Sequence, residues 1–393
     1  MRVVGVICEY NPFHKGHAYH LARAREISGA DYVVCVMSGS VTQRGAFARY
    51  DKWTRAKAAL LNGADLVIEL PVRFACASAQ AFASGGVSLL SALGVITHLS
   101  FGCEKESLPL LSAAADALAD ESSVFKASLH AQLDCGMPYP RARALAAQEA
   151  SGIGNLAEII ARPNAALALE YLAALPESIA PVPVEREGAG YHDEALSALS
   201  SATAVRAAIA RGDMDAALCA VPCPDLLAAA EARGDTHEEE ALTQALLYRL
   251  RTAGAESLRD IAGMDEGLEY RFLSAANTAK SREELLSLVK TKRYTHARLS
   301  RLCTLALLSV TRKFTDEHSR PTCARVLGFR REAAPLLNEI KKRSSMPLVT
   351  KAADFDDPLF ALDVRAQDLW SLGCASPSLR AAGRDYTTSP VIL

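Results

Sequence analysis

Residues 2–17 read RVVGVICEYNPFHKGH, and the fold is decided there. Arg2 to Cys8 is a short β-branched apolar run, and after a loop holding Asn11, Pro12 and Gly16 a helical pattern runs from His17 to Ile27. The alternation repeats downstream. Asp31–Met37 (DYVVCVM), Ala64–Leu70 (ADLVIEL) and Thr97–Phe101 (THLSF) read as strands, with Asp51–Leu61 and Ser78–Leu93 as helices between them. Strands alternating with helices predict a Rossmann-like α/β core on a parallel sheet. Leu108 to about Leu175 is helical in pattern, and Ile179–Glu185 (IAPVPVE) is an extended run able to lengthen the sheet. Beyond Ser200 helix dominates, with breaks at Pro222, Pro224, Pro321, Pro335 and Pro347. The expected division is an α/β domain over 1–210 and a mainly α-helical C-terminal domain over 211–393.

With 393 residues, 50% hydrophobic and 22% charged, the chain has material for two or three domains and is neither a mini-protein nor disordered. Forty-three Lys and Arg against forty-five Asp and Glu give a net charge of −2, so attraction to a polyanion must be local. It is local: Lys280 to Arg343 holds sixteen Lys or Arg and six Asp or Glu. Solvated helix faces usually mix signs, so this excess predicts a polyanion partner. Apolar runs stay well short of a membrane span, and the expected compartment is the cytoplasm. Ten cysteines without paired spacing read as reduced thiols. Cys219 and Cys223 come nearest to a metal pair but lack a second Cys/His pair, so no metal site is expected.

The loop after the first strand lies where open α/β sheets bind ligands. His14 and His17 are three apart, on one face of a first helical turn, beside free backbone N–H groups. Gly16 between them lets a ligand approach the backbone. Two imidazoles, the Lys15 ammonium and a helix N-terminus form a receptor for phosphate, suited to attack on a nucleoside triphosphate. The competing readings are a His pair that merely caps the helix, or two metal ligands. Neither the P-loop nor G-x-G-x-x-G is present. A second element, Ser201-Ala202-Thr203-Ala204-Val205-Arg206, places hydroxyls and an arginine at a helix mouth, for capping and for phosphate.

Together these two elements resemble the H-x-G-H nucleotidyltransferase superfamily. EYNPFHKGH, SGSVTQRG (38–45), DKWTRAKAALLNGADLVIELP (51–71), FGCE (101–104), EREGAGYHD (185–193) and KTKRYTHARLSR (290–301) further resemble the bacterial tRNA(Met) cytidine acetate ligases. That resemblance implies a nucleotidyltransferase core and an enzyme that activates acetate with ATP, with Mg2+, as acetyl-adenylate. The acetyl group then passes to N4 of the wobble cytidine of elongator tRNA(Met), with no obligate protein partner evident. By position it implies His14, His17 and Lys15 in catalysis. Ile7, Cys8, Glu9, Tyr10, Asn11, Pro12, Phe13, Gly16, His20, Gly102, Asn164, Arg186, Ser201, Thr203 and Arg206 would hold ATP. Lys290, Lys292, Arg293, Arg298 and Arg301 form a compact basic stretch expected to bind tRNA, with Tyr294 and His296 available for stacking. Ser40, Ala46 and Gln80 depart from the family pattern. Two alternatives stay open: another H-x-G-H enzyme acting on a small phosphorylated substrate, and a non-catalytic RNA-binding relative.

Overall fold

The structure, a computed structural model, describes residues 1–104, 106–119, 122–185 and 201–393. Five parallel strands form its frame: β1 (Val3–Cys8), β2 (Tyr32–Ser38), β3 (Leu66–Leu70), β4 (His98–Cys103) and β5 (Ala180–Glu185). Three more belong to the same sheet: β6 (Ala324–Phe329), β7 (Leu348–Val349) and β8 (Val391–Ile392). The order is β5-β4-β1-β2-β3-β6-β7, with β8 also on β6. Val3, Val4, Val34, Val36, Leu66 and Ile68 are fully buried, as strands covered on both faces require. β1 lies between β4 and β2, so the direction of winding reverses at its C-terminal end, and a crevice opens there.

The helices that cross between strands begin where side chains satisfy orphan amides. α1 spans Lys15–Ser28, α2 Lys52–Leu61, α3 Val72–Ala75 and α4 Ala79–Ala92. Asp51 caps α2 by accepting from Thr54 N at 2.7 Å, and Ser78 caps α4. α4 packs tightly because Gly86 faces Ile7: a Cβ there would sit 2.7 Å from Ile7 Cδ1. The described part of 108–174 is helical, as expected, and covers this side of the sheet. Residues 246–306 enclose an apolar cluster of their own, including Leu250, Phe272, Leu285 and Leu299.

The sequence reading expects helix beyond residue 211 and does not foresee β6, β7 and β8. β6 runs antiparallel to β3, so the sheet is mostly rather than wholly parallel. The reason lies in buried charge. Lys52 Nζ is 2.9 Å from both Glu69 oxygens and 2.8 Å from Asp385 Oδ1. Arg325 of β6 lies 3.4 Å from Glu69 and 2.5 Å from Asp385, at ion-pair distance though without aligned hydrogen bonds to Asp385. Asp363 accepts from Val72 N at 2.6 Å, and burial, with Glu69 nearby, holds its carboxyl well above the usual range. Trp53 packs beneath Lys52, Arg325 and Arg384. A strand carrying an inward arginine does not show an apolar run.

Candidate active site

At the end of β1, Tyr10 adopts a left-handed backbone (φ 51°), unusual for a bulky residue, and the Asn11–Pro12 peptide is cis. Arginines hold this loop. Arg55, fully buried, donates to Glu9 O at 2.7 Å, Ser38 O at 3.0 Å and Gly39 O. Arg206 donates to Asn11 O at 2.5 Å, and Asn11 Oδ1 accepts from Arg49 N at 2.9 Å. The planar guanidinium fork serves several carbonyls at once. Phe13 is buried and clusters with Tyr10, at 4.7 Å between ring centroids, and His17, at 5.6 Å, which are themselves 4.8 Å apart.

The histidines cap α1 reciprocally: Gly16 N donates to His14 Nδ1 at 3.0 Å and His14 N to His17 Nδ1 at 3.3 Å. Their ring centroids lie 3.7 Å apart at 33°. With both Nδ1 atoms accepting, each neutral imidazole carries its proton on Nε2. One expectation is corrected here. The first amides of α1 are not free, because Lys15 N donates to Ala220 O, Gly16 N to His14, and His17 N to His14 O. Gly16 clears space for the His14 ring, since a Cβ would meet His14 Cε1 at 2.9 Å, and it lines the cleft as well. Capping and chemistry are therefore not competing readings of the pair: Nδ1 serves the helix, and both rings also line a cleft.

Both histidines line a cleft of about 190 Å3 above β1, β4 and β5. Ile7, Cys8, Tyr10, Gly16, His20, Gly102 and Asn164 line it too. His20 Nε2 is 3.0 Å from Ser100 Oγ, and Asn164 Nδ2 donates to Glu104 at 2.8 Å. Sequence reasoning missed Leu167 and Tyr171, yet they follow Asn164 by three and seven positions on one helix face. Phe101, Val184 and Glu185 complete the wall. Burial pushes the Cys8 thiol well above its ordinary range. Lys15 is exposed and lines neither this cleft nor the cavity described next. Pro12 and Phe13 support the loop from beneath. Arg186, with most of the 185–193 block, falls outside the described residues.

A second cavity, about 870 Å3, opens on the β2 side of the crevice. Glu9 and Asn11 line it rather than the cleft, with Arg44, Ala46, Phe47 and Arg49 of the loop after β2, Thr203 and Arg206, and Arg282, His296 and Ser300 from the helical part. Arg206 Nη2 donates to Thr203 Oγ1 at 3.3 Å, while Ser201 caps its helix through Ala204 N. Ala46 leaves room here, Ser40 is buried and donates to Gln367 at 2.7 Å, and Gln80 is exposed.

The basic stretch is less free than its composition suggests. Arg293 is paired with Glu266 at 2.9 Å and Arg298 with Asp265. Arg301 donates to Gln43 O at 3.2 Å, and Lys290 Nζ to Thr291 O at 2.6 Å. Only Lys292 of the five has neither ion pair nor hydrogen bond among the described residues. Tyr294 is corrected as a stacking platform: it is buried beneath Arg298, its hydroxyl donating to Glu266 O at 3.4 Å. His296 is exposed and faces the cavity.

This fold and this paired-histidine loop define a class, and the HIGH Nucleotidyl Transferase family matches residues 1–385. The chain is 40% identical to the tRNA(Met) cytidine acetate ligase of Acetivibrio thermocellus over 100% of both chains. Its identity to that of Syntrophomonas wolfei is 37%, over 100% of this chain and 99% of the relative. It superposes on the crystal structure of Thermotoga maritima TmcAL bound with alpha-thio ATP with a TM-score of 0.93, 32% identity and 100% coverage of both chains. The chain belongs to the tRNA(Met) cytidine acetate ligase family of HIGH nucleotidyl transferases.

Proposed function

We propose that the chain is an ATP-dependent tRNA(Met) cytidine acetate ligase. ATP is bound in the cleft between α1, β4 and β5, with Gly102, Asn164 and Tyr171 around the nucleoside and the histidine pair at its α-phosphate. An acetate oxygen bonds to the α-phosphorus as the bond to pyrophosphate breaks, giving acetyl-adenylate. The His14 and His17 Nε2–H donors, fixed before substrate arrives, stabilise the charge that builds on the phosphate oxygens. No three His, Cys, Asp or Glu among the described residues are placed to hold a metal ion, so Mg2+ would travel on triphosphate oxygens and water.

The reciprocal His14–His17 cap carries this reading: it spends both Nδ1 atoms on the helix and leaves both rings at the cleft in one tautomer. In the second step the wobble cytidine N4 takes the acetyl group and AMP leaves. The helical part after residue 211 would hold the tRNA, with Lys292 and His296 among its exposed groups. No described helix is long and apolar enough to cross a membrane, and an enzyme acting on tRNA works in the cytoplasm. Nucleoside mass analysis of tRNA(Met) incubated with the protein, ATP and acetate tests the reading. N4-acetylcytidine should appear only when both small molecules are present, and its absence would refute the assignment.

A further inference from the structure

We propose that Glu9 is the general base of acetyl transfer, accepting the N4 proton of a cytidine that enters the 870 Å3 cavity. This rests on the ligase reading above. Glu9 occupies the wall between two spaces: its neighbours Cys8 and Tyr10 line the cleft of the histidine pair, while Glu9 itself lines the cavity. The left-handed turn at Tyr10 separates their directions. An acceptor in the cavity therefore meets an adenylate in the cleft across Glu9.

The cavity is otherwise cationic. Arg44, Arg49, Arg206 and Arg282 line it and have no lone pair to offer a proton. Its other carboxylates are engaged, Glu239 with Arg282 at 2.9 Å and Glu238 with Arg49 at 3.5 Å. His237 Nδ1 is held against Trp370 O at 3.0 Å, and its ring stacks on Phe47. Glu9 forms no ion pair with the described residues. One of its oxygens accepts from Gln43 N at 2.5 Å, which fixes the carboxylate, and the partly buried side chain lines the cavity. A cavity of this size accepts an unstacked nucleotide, and its arginines suit the flanking phosphates.

The step balances. The cytidine N4 lone pair forms the new C–N bond to the acetyl carbonyl carbon, the bond from that carbon to the AMP oxygen breaks, and the N4 proton passes to Glu9. AMP carries away the electron pair, and the Glu9 proton is later lost to water. Burial raises the Glu9 carboxyl, and the Gln43 amide with Arg55, Arg206 and Arg44 pulls it back, leaving a stronger base than an ordinary glutamate. The Cys76 thiol and the Tyr171 phenol are the other titratable groups whose charge is coupled to it.

The test separates the two half-reactions in Glu9→Gln, which keeps an acceptor for the Gln43 amide. Acetate-dependent ATP–pyrophosphate exchange should persist. Single-turnover transfer from preformed acetyl-adenylate to tRNA should fall about 100-fold or more and lose the acid limb that the wild-type profile should show. Normal transfer by Glu9→Gln overturns the proposal. If Glu9→Gln fails to fold, Glu9→Asp decides: transfer reduced more than exchange supports the base, and equal reduction overturns it. Wild-type protein that acetylates no tRNA refutes the ligase reading instead, an outcome distinct from all of these.

Discussion

Gly16→Ala separates the stability of α1 from its chemistry. A Cβ at position 16 would sit 2.9 Å from His14 Cε1 and 3.1 Å from Nδ1, so the ring must retreat by about half an ångström to reach ordinary contact at 3.4 Å. That retreat loosens the Gly16 N to His14 Nδ1 bond, a cap contribution of about 1 kcal/mol. Alanine in place of glycine returns up to about 1 kcal/mol through helix propensity. The two nearly cancel, and the melting temperature should move by no more than about 2 °C. His14 and the His17 ring tilted against it are nevertheless displaced from the α-phosphate position proposed above, and misplacement on this scale should lower the rate about 10- to 100-fold. Thermal unfolding and acetate-dependent ATP–pyrophosphate exchange, measured on the same preparation, check both halves. Unchanged exchange would show that the His14 ring position does not matter to adenylation. A loss of several kcal/mol of stability would show that the cap was misjudged.

His14→Asn keeps an N-cap acceptor and removes the Nε2 donor, so stability should hold while exchange falls about 100- to 1000-fold; equal exchange would refute the donor role. Asp385→Ala strips the partner of buried Lys52 and Arg325 and should cost about 3–5 kcal/mol in chemical denaturation, a small change meaning that water enters the cluster. Burial pulls His237 down to about 4 from its ordinary 6.5, so folding favours its neutral form. That contribution, about 3 kcal/mol, is complete above pH 6.5 and lost as pH falls towards 4, and His237→Gln should flatten stability across that window. Arg44→Ala should lower the salt dependence of tRNA binding by about one unit of slope, whereas Arg293→Ala, with Glu266 on its guanidinium, should leave it nearly unchanged.

The first five strands were legible because each is a short extended run between helical or turn segments, β-branched in β1, β2 and β3. β6 was not. Its Arg325 is neutralised by Glu69, 256 positions earlier, and by Asp385, contacts that no local pattern records. Lys52 and Glu69 are likewise fully buried, which nothing in their local sequence marks. The histidine pair was found by its spacing, but the fate of the α1 amides depended on Ala220, far along the chain. The larger cavity was invisible for the same reason, since the loop after β2 meets Arg206 and Arg282 only in three dimensions. Composition also overstated the basic stretch, because Asp265 and Glu266 lie just upstream of the window that was counted.

The central claim is that a paired imidazole cap on α1 activates acetate on ATP. Pyrophosphate exchange into ATP, measured with and without acetate and without tRNA, tests it most directly. Exchange that appears only with acetate and vanishes when His14 and His17 are both replaced by Asn is the result expected here. Exchange indifferent to acetate, or surviving the double replacement, would contradict it.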